Sequence, residues 1–294
     1  MRYDSFLVDK PIPLSSSLLL FFFYKTLKQI TMEIYPDTYS SDLLQVIPRA
    51  EHRNRFSFSG DGLFFSGADV WYAYEFSWLN EKGKPEVAVI RFQIPANSAR
   101  FIESKSFKMY LGSFSGTRFQ ERGVVQEILC KDLSDKVEAS VVVDFPSAND
   151  LIPPNLSKRA GVNLDDLDID IKEYQPNPGL LRANSDNEIS EILFTDLFRS
   201  LCPITAQPDF ASIIVDYTGG SIEHGSLLKY LVSFRKHADF SEHIVERIYV
   251  DLIENCTLSG LAVTARYTRR GGLDINPYRI LNKEPPPDQR LIRQ

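Results

Sequence analysis

The sequence predicts an α+β fold built twice within one chain of 294 residues, on three observations. First, ESKSFKMYLGSF (103–114) aligns without gaps with EHGSLLKYLVSF (223–234), matching Glu103 with Glu223, Ser106 with Ser226, Tyr110 with Tyr230, Leu111 with Leu231, Ser113 with Ser233 and Phe114 with Phe234. With one inserted residue, Phe119 then falls opposite Phe240 and Glu121 opposite Glu242. Second, an alternating apolar run precedes each copy, as strands with one buried face require. Third, an apolar face at helical spacing follows each copy, and a further strand candidate follows that. A period this long is two copies of a domain, not a solenoid.

The elements follow in order. Residues 1–34 form an irregular leader whose apolar run, Leu18–Tyr24, falls well short of the roughly 20 residues a spanning helix needs. It lacks the cleavage pattern of a secretory signal, a buried strand or interface segment is the other reading, and Met32 is an alternative start. The first module covers 35–150. There EVAVIRFQI (86–94) reads as a strand, Val124, Val125, Ile128 and Leu129 as one helical face, and VEASVVVDF (137–145) as a strand. Residues 151–190 are a loop-rich join carrying IPPN and NPG, with LDIDIKEY (167–174) as a lone strand candidate. The second module covers 191–294, with FASIIVDY (210–217), a helix bearing Ile244, Val245, Ile248, Tyr249 and Leu252, and LAVTARYT (261–268).

Composition narrows the function classes. A net charge of −6 argues against general binding to nucleic acid or membrane surfaces. The three cysteines, Cys130, Cys202 and Cys256, are odd in number and widely spaced, so neither a disulfide framework nor a zinc knuckle is expected, and a cytoplasmic location fits. His52, His224, His237 and His243 include no HExxH pattern, and no metal is expected. GxGxxG is absent, so a dinucleotide would bind outside a Rossmann fingerprint.

One stretch points to chemistry. In SLCPITAQPDF (200–210) a cysteine heads a turn, with Asp209 seven residues on at the mouth of a strand. Aligning SWLNEKGKPE (77–86) with SLCPITAQPD (200–209) sets Leu79 opposite Cys202. Only the second half has the thiol, so a chemical Cys202 implies one active site per chain. A thiol attacks as thiolate, which needs partial exposure and nearby positive charge; spacing alone favours a structural cysteine. Local context alone likewise makes Glu103 and Glu242 solvated surface charges. In YTRRGGLDINP (267–277), Arg269 and Arg270 beside two glycines offer guanidinium forks next to backbone that a phosphate can approach, or simply a basic loop; Lys105 and Lys108 are a weaker anion site.

ESKSFKMYLGSF, SLCPITAQPDF, SFRKHADFSE and ARYTRRGGLDINP together resemble the NADPH-dependent 7-cyano-7-deazaguanine reductases of queuosine biosynthesis, in their long two-module form, from about residue 35 to the C-terminus. The resemblance implies tandem tunnelling-fold modules, antiparallel sheets with helices packed on one side, and a cytoplasmic homodimer that acts on a small molecule and binds neither nucleic acid nor membrane. It implies Cys202 as the nucleophile that forms a covalent thioimide with the nitrile carbon, and Asp209 as the acid. Ile102, Glu103, Ser104, Phe240, Ser241 and Glu242 match the substrate pocket, which implies a purine-sized cavity facing the sulfur. Ser104, Lys105, Arg270 and Gly271 match the NADPH contacts. Two NADPH would convert the nitrile to a primary amine. One departure stands out: the family's FHE is FSE here, and Ser241 can hydrogen-bond but cannot carry a proton as imidazole does. That departure motivates an alternative, a purine- or pterin-binding module that does not reduce its ligand. A zinc-dependent cyclohydrolase of the same fold would need ligands the scattered histidines do not offer.

Overall fold

A computed structural model describes residues 35–56, 65–147, 159–287 and 290–294; the leader and the IPPN stretch lie outside the described residues. Along the chain come β1 (Val46–Pro48), α1 (Arg49–Arg53), β2 (Ser66–Leu79), β3 (Pro85–Pro95), β4 (Arg100–Ile102), α2 (Ser104–Ser113), α3 (Arg122–Val137), β5 (Val142–Asp144) and β6 (Val162–Asn163). Then follow β7 (Ala183–Leu201), β8 (Pro208–Ile222), α4 (His224–Ser233), α5 (Ser241–Asn255), β9 (Leu258–Tyr267) and β10 (Leu273–Leu281).

Eight strands form one sheet in the order β5-β3-β2-β10-β9-β8-β7-β6, antiparallel except where Val162 and Asn163 run parallel to Leu193 and Phe194. Strand β1 pairs separately with β4. The halves meet at β2 and β10, in register from Leu273 opposite Ala73 to Ile280 opposite Ser66. Apolar side chains form two cores. One packs α2 and α3 on β2 and β3 through Trp71, Phe92, Phe107, Tyr110 and Leu129; the other packs α4 and α5 on β7, β8 and β9 through Phe198, Ile213, Tyr230, Ile248 and Val263. The five residues read as one face of α5 are all buried.

The two halves repeat in detail. In α2, Tyr110 donates to Asp132 of α3 at 2.8 Å, and in α4, Tyr230 donates to Asp251 of α5 at 2.6 Å. A bulge interrupts β2/β3 between Ala73 and Phe76, and another interrupts β7/β8 between Thr195 and Phe198. Backbone bonds fix the correspondence: the amides of Phe119 and Asp239 donate to the carbonyls of Leu79 and Leu201. Phe119 therefore corresponds to Asp239, not to Phe240, and no residue is inserted before it. The hairpins also correct the expected pairing of Leu79 with Cys202. Asn80 donates to the Lys84 carbonyl and Cys202 to the Gln207 carbonyl, both at 2.9 Å, so Asn80 occupies the slot of Cys202 and the second hairpin loop is one residue longer.

Three strand expectations are corrected. LDIDIKEY forms no strand; Ile169 packs against the second core and the Lys236 ammonium lies over the Tyr174 ring. Of 137–145 only Val142–Asp144 is extended, since α3 runs on to Val137 and ends on Glu138 in the left-handed region, φ 58°. Strand β7 begins at Ala183, inside the stretch read as a join. The basic segment after β9 is not a loop alone: Arg270, Gly271 and Gly272 make a hairpin turn, with φ of 59° and 75° at the glycines, and β10 follows.

A buried charge network joins the halves. Arg279 on β10 donates to Asp69 on β2 at 2.9 Å and to Glu246 on α5 at 2.7 Å. Arg49 of α1 also pairs with Asp69, and Arg53 of α1 donates to Glu246 at 2.6 Å. Arg49, Asp69, Glu246 and Arg279 are at most 1% exposed. The arginines hold Glu246 down to about 2 against the opposing pull of burial. Removing one member would strand a buried charge, typically at about 3–5 kcal/mol.

Candidate active site

A cavity opens where β4 and α2 of the first half meet β8, β10 and the start of α5. Its walls include Ile102, Ser104, Lys108, Cys202, Asp209, Asp239, Phe240, Ser241, Glu242 and Arg270, with Trp71, Tyr267, Leu273 and Ile275 beneath. It encloses about 40 Å³, room for a few water molecules and less than the purine-sized space expected. A fused bicyclic ring enters only if the walls part; the long side chains of Lys108 and Arg270 are the flexible part of the wall.

Cys202 begins the hairpin loop between β7 and β8. Its amide donates to the Gln207 carbonyl and its carbonyl accepts from Ala206, itself left-handed at φ 57°, so the loop is a closed turn that fixes the sulfur. The residue is buried yet faces the cavity. Burial pushes the thiol up, but hydrogen bonds from Thr205, from the Arg270 side chain and from the Thr205 and Ile204 amides outweigh it, and the net shift is downward. The sulfur is thus biased toward thiolate.

Asp209 opens β8 opposite Ser200 of β7. Here burial outweighs the pull of Arg270 and Lys108, and the carboxyl lies above its ordinary range. Arg270 lies between the two groups: its guanidinium is 3.4 Å from Asp209, donates to Gln207 at 2.9 Å, and hydrogen-bonds the sulfur. A lowered thiol and a raised carboxyl on one cavity are the divergence an acid and a nucleophile need. The first half has no such pair. There Asn80 donates to Glu86 at 3.0 Å, and the same hairpin carries only a structural bond.

Glu242 sits in the first turn of α5 and is 2% exposed, with its Oε1 unpartnered. Burial, and then the charge of Asp69, raise it to about 8. A buried carboxyl with a free acceptor asks for donors from a ligand. Phe240 caps that helix and sets its ring edge-on to Phe101 at 5.4 Å; Ser241 follows it on the cavity wall.

Glu103, Lys105 and Gly271 are not on that wall. Glu103 is buried as the cap of α2, accepting from the amides of Lys105 at 2.9 Å and Ser106 at 2.7 Å. Burial and then the charge of Arg270 push the Lys108 ammonium down, and Glu103 opposes that shift; its oxygens keep further lone pairs. Lys105 is exposed one residue past Ser104. Gly271 lies at the mouth, where a Cβ would meet the Lys108 chain at 3.2 Å. Ser104, Lys108 and Arg270 put a hydroxyl and two cations on the wall, with Gly271 beside Lys108 and exposed Lys105 next in sequence to Ser104, residue types that could hold an anionic group.

Sequence reasoning gave no role to Trp71, Asp239 or Tyr267 and read Lys108 only as part of a weaker anion site; all four are on the wall. Asp239 and Tyr267 lie inside the motifs SFRKHADFSE and ARYTRRGGLDINP, whereas Trp71 lies on β2, which no motif includes. His243 is not on the wall; its Nδ1 donates to the Asp239 carboxylate at 2.9 Å, and its ring stacks on His52 at 4.0 Å and 6°. His52, Asp239 and His243 bring their ligand atoms within 4.8 Å, a grouping no linear spacing revealed. Near-parallel rings at that separation cannot both aim a nitrogen in-plane at one ion, so the cluster as folded does not make a zinc site.

Two joined antiparallel β-modules, each with a helix pair, define a tandem tunnelling-fold protein, with a thiol and a carboxyl on one cavity where the modules meet. Residues 35–145 match the family described as nitrile reductase, 7-cyano-7-deazaguanine-reductase N-term, and residues 208–286 match the family described as QueF-like protein. A curated protein of Burkholderia orbicola (strain MC0-3), named NADPH-dependent 7-cyano-7-deazaguanine reductase, is 46% identical over 265 residues, covering 89% of this chain and 96% of its own length. A protein of the same name from Bordetella avium (strain 197N) is 46% identical over 261 residues, covering 88% and 95%. The chain belongs to the NADPH-dependent 7-cyano-7-deazaguanine reductase family.

Proposed function

We propose that this chain reduces the nitrile of 7-cyano-7-deazaguanine to the primary amine, using Cys202 as nucleophile and Asp209 as acid. The observation that carries the reading is the Cys202 thiol, shifted downward, and the Asp209 carboxyl, shifted upward by burial, on one cavity with Arg270 beside both. The Cys202 thiolate adds to the nitrile carbon, forming a C–S bond, while Asp209 delivers a proton to the nitrogen; the product is a thioimide. NADPH, when bound, would supply the hydrides; the C–S bond breaks and the Cys202 thiolate leaves before the amine is complete, so two NADPH with two protons balance the change from nitrile to amine. Ser104, Lys105, Arg270 and Gly271 hold that cofactor at the rim, and Lys108 adds a charge.

For the substrate, Glu242 accepts from the N–H edge of the base, Phe240 stacks on its face, and Ile102, Glu103, Ser104 and Ser241 complete the pocket. A cytoplasmic homodimer is part of the same proposal. Among the described residues no helix is long and apolar enough to cross a membrane, which leaves a β-barrel unaddressed.

Intact-protein mass spectrometry with the nitrile tests the reading. A covalent mass on the wild type that is absent from Cys202→Ala, with two NADPH consumed per amine formed, is the expected result. Binding without adduct or NADPH oxidation would overturn it in favour of a non-reducing base-binding module.

A further inference from the structure

Trp71 stands at the centre of β2, 1% exposed, opposite Ile275 of β10 and Phe92 of β3. Its ring packs edge-on to Phe107 at 5.4 Å and forms part of the cavity wall. Its indole N–H is buried without any acceptor. Glu242, on the opposite half of the same wall, has a buried carboxyl oxygen without any donor. A buried donor left unmade costs roughly 1–3 kcal/mol, and such groups are rare unless water or a ligand completes them. The indole N–H is donor only and cannot serve the N–H edge that Glu242 serves. The wall therefore carries an unpartnered acceptor on Glu242 and an unpartnered donor on Trp71, with the Tyr267 hydroxyl a third unpartnered group that can act either way; the first two are the complement of a cyclic amide, whose N–H donates and whose carbonyl accepts.

We propose that Trp71 is a specificity-determining residue that donates its indole N–H to the ring carbonyl of the substrate, so that Glu242 and Trp71 together read its lactam edge. The inference rests on the reading of the site given above, and adds to it the donor that selects an oxo-substituted base over one without the carbonyl. Both side chains come from different halves of the chain, so the lactam edge is read across the β2–β10 junction.

The chain has two tryptophans, which makes the test direct. In Cys202→Ala protein labelled with 15N at the indole nitrogens, and assigned with Trp78→Phe, 7-cyano-7-deazaguanine is expected to move the Trp71 indole N–H resonance downfield. The analogue with hydrogen in place of the ring carbonyl oxygen is expected to leave it near its ligand-free position. Trp71→Phe, which keeps an aromatic ring and removes the donor, is expected to weaken binding of the oxo base roughly 10-fold or more while leaving the deoxo analogue's affinity unchanged. An unmoved resonance on a protein that binds the oxo base overturns the inference alone, as does an equal loss for both bases in Trp71→Phe. Should that variant fail to fold, the resonance still decides. Failure of either base to bind, with no NADPH oxidation by the wild type, overturns the nitrile-reductase reading and this inference with it.

Discussion

Glu242→Gln separates the cost of the buried carboxyl from its use. In the folded chain Glu242 titrates at about 8, against an ordinary 4.5, because burial and Asp69 disfavour its charge. Below pH 4.5 the group is neutral in both folded and unfolded chains and costs nothing. Between 4.5 and 8 the unfolded chain is ionised while the folded one keeps its proton, so this one group lowers stability by about 1.4 kcal/mol per pH unit as pH rises. Above 8 the loss levels off near about 5 kcal/mol, an upper bound that relaxation around a buried group reduces. Glutamine has the same shape and no titration. Denaturant unfolding of both proteins between pH 4.5 and 8.5 should therefore show their difference widening in favour of the variant by roughly 3–5 kcal/mol. The same variant should bind substrate more weakly, since the N–H edge of the base favours the ionised carboxylate as acceptor and an amide cannot ionise. A stability difference that stays flat across the pH range would refute the reasoning.

Three further outcomes follow from the geometry. Arg279→Met leaves Asp69 and Glu246 short of a buried partner, and thermal melting should drop by roughly 10 °C, from about 3–5 kcal/mol; a drop of under two degrees would mean that Arg49 and Arg53 alone suffice. Arg270→Ala removes a hydrogen bond that lowers the Cys202 thiol and a charge that restrains Asp209, so the pH midpoint for alkylation of Cys202 by iodoacetamide should move upward, and an unchanged midpoint would exclude Arg270 from thiolate support. Gly67→Ala places a Cβ 2.2 Å from the Tyr278 carbonyl oxygen at a φ of 143°, and equilibrium unfolding should show a loss of about 2 kcal/mol or more.

Much of this was legible because it repeats or alternates. The strands at 86–94 and 210–217 lie within β3 and β8, that at 261–268 overlaps β9 up to Tyr267, and the apolar face of α5 reads directly from its spacing. The long partners β2 and β7 carry charged and polar residues among their apolar ones, with bulges that break the alternation, and were not seen. LDIDIKEY alternates well and is no strand; periodicity alone does not make one. At the site, the family motifs led to Cys202, Asp209, Ser104, Phe240, Ser241, Glu242 and Arg270 around one cavity. Local context misread Glu242 and Glu103 as solvated charges, since their burial is set by elements far away in sequence. The one-residue error in aligning the halves arose in a loop, where side-chain identity was followed and backbone bonding was not.

The pairing of β2 with β10 ties the fate of two gene-length segments together. Because the nucleophile, the acid and the arginine lie in the second segment while Ile102, Ser104 and Lys108 lie in the first, neither half owns the chemistry. In the first half Asn80 and Glu86 occupy the hairpin positions of Cys202 and Asp209, so that half supplies wall and no nucleophile. Damage to that silent half is then expected to appear as lost turnover, although no reacting atom resides there.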